Sequence, residues 1–242
     1  VIESNSSLHA LLQKLHEEND RQVYARARKQ YRGDDESFQK LALEYASLGP
    51  RKKGAFLRSH GLTTNDSNAV AAAEANLSLA ISPQMGAFLT NIVLAKRPNS
   101  VLELGSSNGV STLYFANALA SLNTGTVVAT ESNPMKCANL RKHARAAGLD
   151  GFVDLREGDI FETLDALNGA FDIIFLDMWA SDYLEAAKKL ERLIVPGTVI
   201  LADNMYTAED EVRPFKDYLS GHARIATTTL DFESGVEFAV VR

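Results

Sequence analysis

Five short apolar runs recur between residues 100 and 204: SVLELG, GTVVATE, GFVDLREG, FDIIFLD and GTVILADN. Helical patterns separate them at 110–120, 134–147, about 160–168 and 181–194. Strands alternating with helices cannot pair through tight hairpins, so each connection crosses over and the strands run mostly parallel. A sheet of that kind is covered on both faces, which explains why its strands are apolar throughout rather than alternating. The expected class is therefore α/β and doubly wound. After a last helix near 208–220, ARIATTTLDF and GVEFAVVR follow with no helix between them, which predicts an antiparallel hairpin finishing the sheet edge.

Upstream the pattern is helical. Leu8, Leu11, Leu12 and Leu15 fall at i, i+3, i+4 and i+7 after Ser6-Ser7, the expected cap. The stripe must be buried, either on its own domain or in a homodimer contact. DDESFQKLALEYASLG reads as a second helix closed by Gly49-Pro50, and PRKKGAFLRSHG as a solvated, flexible basic connection rather than a lid. Residues 67–100 read as helical with a break at Ser82-Pro83. The expected division is an N-terminal helical extension, 1–75, and one large domain, 76–242.

Composition narrows the partners. The 242 residues are 45% hydrophobic and 23% charged, enough for one full core. A net charge of −6 disfavours a nucleic-acid backbone, and no apolar run approaches a membrane span. The single cysteine, Cys137, allows no intrachain disulfide and points to a reducing, cytoplasmic setting. It has no partner histidine and reads as a packing residue. The start lacks signal-peptide features, and Val1 in place of Met predicts a trimmed or processed chain.

The turn after the first strand, in VLELGSSNGVSTLYFANAL (101–119), carries Gly105 and Gly109 in a G-x-x-x-G spacing. A pyrophosphate cradle uses G-x-G-x-x-G, and the acid inside the strand, Glu103, would repel phosphate and attract an ammonium group. Glu131 ends the second strand, where this architecture accepts ribose hydroxyls. Asp159 ends the third, at the rim where an adenine lies. The plainer reading makes Glu131 and Asp159 helix caps. Three successive acids favour a ligand that bears an amine and a ribose but no phosphate, which describes S-adenosylmethionine.

Asp177 closes FDIIFLD and Asp203-Asn204 closes VILADN on the neighbouring strand, so three oxygen-bearing side chains converge at the carboxyl edge. Such a set suits a hard divalent ion, Mg²⁺ above all. On spacing alone a simple turn at Asp203-Asn204 is as good a reading.

VLELGSSNGVST, ATESNP, FLDMWASDYLEA and GTVILADN, in that order, resemble the cation-dependent small-molecule O-methyltransferases, the catechol and caffeoyl-CoA O-methyltransferase family. The resemblance covers roughly 80–242. It implies a class I, Rossmann-like methyltransferase fold whose seven-stranded sheet has an antiparallel last strand. It also implies that Glu103, Gly105, Ser106 and Ser111 line the methionine end, and that Glu131 holds the ribose. Asp159 and Ile160 would border the adenine, with Trp179 walling the adenine or the methyl-transfer side. Asp177 would act in catalysis and, beside the cofactor, ligate the metal with Asp203 and Asn204. The implied reaction moves a methyl group to a hydroxyl of a small phenolic or vicinal-dioxygen acceptor.

Two departures stand out. The family's general-base lysine falls at Ala180, and TTTLDFESG shows no evident carboxylate for a second acceptor hydroxyl. Asp182, Lys216 and His60 are weak substitutes for the base. The alternatives kept open are a noncatalytic or altered-substrate homologue that retains the cofactor site and, behind it, an NAD-dependent oxidoreductase.

Overall fold

The computed structural model describes residues 5–62 and 79–242. The N-terminal helices are α1 (Ser6–Gln30), α2 (Asp35–Ser47) and α3 (Pro50–Ser59), followed by α4 (Pro83–Lys96). Then come β1 (Ser100–Leu104), α5 (Val110–Leu122), β2 (Thr126–Glu131), α6 (Pro134–Ala146), β3 (Val153–Glu157) and α7 (Ile160–Ala166). The chain continues through β4 (Ile173–Leu176), α8 (Tyr183–Leu190), β5 (Val199–Ala202), α9 (Glu209–Gly221), β6 (Ile225–Leu230) and β7 (Val236–Val241). The 75/76 division and the helical reading of 67–78 lie outside the described residues.

The seven strands form one sheet in the order β3-β2-β1-β4-β5-β7-β6. The first five run parallel, and β7 is antiparallel to both its neighbours. The hairpin is thus present, but its last strand lies inside the sheet, between β5 and β6, and β6 takes the edge. Because β7 is reversed, the β6–β7 turn comes out at the carboxyl ends of the parallel strands.

Successive strand residues feed opposite layers. Val101, Val127, Phe175 and Leu201 join α1, α4 and α5 on one face. Leu102, Leu104, Ile174, Leu176 and Ile200 join α7, α8 and α9 on the other. Ser82 caps α4 through Met85 N, and Pro83 occupies its first turn, which fixes the predicted break.

The leucine stripe of α1 packs on the chain's own core: Leu8, Leu12 and Leu15 are buried in the first layer. Each contributes about 1.5–3 kcal/mol of transfer free energy before the entropy of ordering the helix. The cap is Asn5, not Ser6-Ser7. Its side chain accepts from Leu8 N at 3.0 Å and donates to Ala147 O at 3.3 Å, tying the helix start to the domain.

The basic stretch 50–59 is a helix, not a flexible connection. Pro50 occupies its first turn, where a missing N–H costs nothing. Gly54, mid-helix, is there for contact: a Cβ on it would stand 2.4 Å from Tyr206 O and 3.0 Å from Thr207 Cα. Arg51 pairs with Asp231 at 3.2 Å and lies 5.5 Å from the Tyr206 ring centre, while Arg58 Nη1 donates to Thr207 O at 3.4 Å. Helix α3 is therefore laid against the loop after β5. Among the described residues no helix is long and apolar enough to cross a membrane.

Candidate active site

The carboxyl ends of β2, β1, β4 and β5 carry Glu131, Glu103, Asp177 and Asp203 in spatial order. The ladder runs on into this rim: Asp177 N donates to Leu104 O at 2.9 Å and Asp203 N to Leu176 O at 3.1 Å. Gly105 permits the tight approach. At φ 90° its backbone lies so close to β4 that a Cβ would meet Asp177 O at 2.4 Å.

Glu103 is fully buried. Thr112 Oγ1 donates to its Oε2 at 2.5 Å, while Oε1 has no hydrogen-bond partner. Burial pushes its carboxyl up to about 7, against the pull of the Ser111 and Thr112 hydroxyls and with a further push from Glu131. A buried acid with an unpaired oxygen suits an incoming donor, and an ammonium group would supply both hydrogen bond and charge.

Glu131 is oriented by backbone: Ser107 N donates to Oε2 at 2.9 Å and Asn133 N to Oε1 at 2.8 Å. Each oxygen keeps a further lone pair for a hydroxyl. Asp159 does cap α7, accepting from Phe161 N at 2.8 Å and Glu162 N at 3.1 Å, both through Oδ1. The capping reading is therefore correct, and Oδ2 stays outside the cap. Ile160 begins α7, and Trp179 follows β4 with 40% of its surface exposed.

Ser106 and Ser107 divide differently from the sequence reading. The Ser106 hydroxyl turns inward and donates to Thr130 O at 3.2 Å. Ser107, at φ 48°, holds a buried hydroxyl without a partner.

On the other half of the rim, Asp177 and Asp203 lie side by side. Burial raises the Asp177 carboxyl well above the ordinary aspartate range, with Asp203 and then Glu103 adding repulsion. Asp203 is likewise raised, burial outweighing hydrogen bonds from Ser234 Oγ and Asn204 N, with a push from Glu233. Asn204 adopts φ 69°, a conformation asparagine tolerates. Its Nδ2 stands 3.5 Å from Asp177 Oδ1, and its Oδ1 accepts from Thr207 Oγ1 at 2.9 Å. Two crowded carboxylates and an amide make a donor set that a hard divalent cation fits. Among the described residues no group of three or more His, Cys, Asp or Glu side chains is arranged to hold a metal ion.

Three contributors escaped the sequence reading. Tyr183 is fully buried, and its hydroxyl reaches Leu176 O at 3.1 Å and Asp203 O at 3.3 Å, strutting β4 against β5. Burial and both aspartates push its hydroxyl well up. Ser234 holds Asp203. Glu233, on the β6–β7 turn at φ 53°, brings a carboxylate within electrostatic reach of Asp203. Only Tyr183 left a signal, as an aromatic residue six positions beyond Asp177.

The base position stays empty: Ala180 lies partly buried in a 3-10 turn, Ala180–Asp182. His60 caps α3, stacked 4.3 Å from the Phe56 ring centre with Nδ1 at 2.8 Å from Phe56 O. Asp182 accepts from Ser181 Oγ at 3.2 Å.

This geometry coincides with what the chain is similar to. A family model described as a methyltransferase domain matches residues 102–205. The Sus scrofa catechol O-methyltransferase is 30% identical over 132 residues, which cover 52% of this chain and 70% of that protein. The chain belongs to the catechol and caffeoyl-CoA O-methyltransferase family. A Niastella koreensis family member named catechol O-methyltransferase is 35% identical over 138 residues, or 55% of this chain. The match spans 62% of that relative's length, less than two thirds. The family fold is shared with a solved O-methyltransferase from Bacillus cereus in complex with SAH. That structure has a TM-score of 0.64 and 26% identity, covering 78% of this chain and 96% of the other.

Proposed function

We propose that this chain transfers a methyl group from S-adenosylmethionine to a hydroxyl oxygen of a small acceptor that presents two adjacent oxygens, with a divalent cation at Asp177, Asp203 and Asn204. One observation carries the reading: an unbroken line of acids, each within electrostatic reach of the next, from Glu131 through Glu103 and Asp177 to Asp203 and Glu233. Self-repulsion makes such a row costly unless cations lie along it. A sulfonium donor with an ammonium group and a divalent ion are two cations of the right placement. The SAH bound to the Bacillus cereus relative and the names of the curated relatives support the methyl donor and the transfer to oxygen.

The donor supplies an electrophilic methyl on sulfur. Glu103 then takes the ammonium end at its unpaired Oε1, and Glu131 takes the ribose hydroxyls. Trp179, Asp159 and Ile160 border the adenine. Asp177, Asp203 and Asn204 would hold a divalent cation, whose chemistry there would be to lower the pKa of an acceptor hydroxyl. Glu233 would accept a hydrogen bond from the second hydroxyl, a role supported by its electrostatic reach to Asp203. Alignment of oxygen and methyl supplies much of the rate enhancement. No lysine stands at position 180 to take the proton, so it would pass to solvent water from a hydroxyl that the cation held by these residues would acidify.

The test is methylation of a panel of catechols and other vicinal dioxygen compounds, followed by mass spectrometry with Mg²⁺ and with EDTA, beside calorimetry with S-adenosylhomocysteine. Metal-dependent methyl ether formation is expected; no binding of S-adenosylhomocysteine at millimolar concentration would end the reading. Ala180 favours a second reading, a homologue that keeps the donor site without turnover, and tight S-adenosylhomocysteine binding with no product across the panel would select it.

A further inference from the structure

Asn204 is set in the wrong sense for a cation ligand, and the residue that holds it explains how it can turn. Its Nδ2 faces Asp177 and its Oδ1 faces the Thr207 hydroxyl. A cation beside Asp177 needs the amide oxygen on that side. The backbone offers no freedom to achieve this. Asn204 sits at φ 69°, Asn204 O accepts from Ala208 N at 3.0 Å, and Met205 N donates to Gly235 O at 3.0 Å. What remains is a half-turn about Cβ–Cγ, which exchanges the amide oxygen and nitrogen in the same two places.

We propose that Thr207 is a positioning residue that holds the Asn204 amide in both senses, its hydroxyl donating to Oδ1 in one and accepting from Nδ2 in the other. A hydroxyl both donates and accepts, so the half-turn costs no hydrogen bond at Thr207. Neither a carbonyl nor an ammonium group could serve both. Thr207 is itself fixed from outside the loop: α3 abuts its Cα at Gly54, and Arg58 Nη1 donates to its carbonyl. The N-terminal helices therefore set the aim of a ligand more than a hundred residues away in the chain.

The inference rests on the cation reading above, and the experiment separates the two. Mn²⁺ is titrated into the full chain and followed by electron paramagnetic resonance. S-adenosylhomocysteine affinity and thermal unfolding are measured alongside. Thr207→Val, which keeps shape and loses the hydroxyl, is expected to weaken Mn²⁺ binding by about 10–100-fold, as loss of outer-shell partners typically does. Thr207→Ser restores binding to within about twofold of the parent, a rescue that a merely space-filling role would not give. S-adenosylhomocysteine affinity stays level in both, and Thr207→Ala serves as the second hydroxyl-free variant if valine disturbs folding. Valine or alanine binding Mn²⁺ as tightly as the parent overturns the proposal alone. A parent chain that leaves the Mn²⁺ signal unchanged at millimolar metal overturns the cation reading, and this inference with it.

Discussion

The two halves of the rim are built by different means. On the donor half, Glu131 is fixed by two backbone N–H groups, and Glu103 by strand register, the left-handed glycine turn after it and the Thr112 hydroxyl of the adjoining helix. On the proposed cation half, Asp203 is held by Ser234 from the β6–β7 turn and Asn204 by Thr207 three residues on, with α3 pressed behind that loop. Backbone geometry survives most substitutions, whereas a hydroxyl relay can be lost in one. The donor half is thus expected to be the stable partner and the cation half the adjustable one.

The largest effect that would break this contrast is on Asp177. Asp177→Asn is expected to lower methyl transfer by at least about a hundredfold, about 2.7 kcal/mol in the barrier. S-adenosylhomocysteine affinity should change by less than about tenfold. Equal losses in both measurements would show the halves to be one unit. Next comes Gly105→Ala, which forces a side chain into Asp177 O at a positive φ. It should cost about 2 kcal/mol or more in urea unfolding, with both halves weakened.

The pH response sharpens the donor half. The folded-state pKa of Glu103, about 7, lies above its ordinary 4.5, so its contribution to stability is full below 4.5 and is lost as pH rises toward 7. Binding of an ammonium ligand needs the ionised form, so S-adenosylhomocysteine affinity should fall as pH drops below 7. Glu103→Gln should flatten that profile in calorimetry. Tyr183→Phe removes the strut between β4 and β5 and should cost about 1–2 kcal/mol of stability, measured by denaturant titration. Gly54→Ala should have the smallest effect, loosening α3 and weakening Mn²⁺ binding by about threefold, with the donor site unmoved.

The same division governs what the sequence alone reveals. The sheet follows from its alternating runs, the Glu103–Gly105–Gly109 turn from one short stretch, and the convergence of Asp177 with Asp203-Asn204 from two strand ends that topology makes neighbours. Helix α3 was hidden because four basic residues and a central glycine read as a solvated link, and only contact with Tyr206 and Thr207 explains them. Ser234 and Glu233 were hidden because polar residues in turns look alike until a partner far along the chain selects one, and Thr207 because a threonine in a loop gives no sign that it meets the Asn204 amide. The Ser106–Ser107 pair shows the limit even within a motif, since both hydroxyls are buried and only one finds a partner, in Thr130 O.

The reversed strand at the sheet's end has a wider consequence. It returns residues 231–235 to the ligand rim on a hairpin whose other end is anchored in the core. A change in the length or chemistry of those five positions would reshape what sits opposite the methyl donor while leaving every parallel strand in register. A protein built this way can acquire a new acceptor by editing one bend.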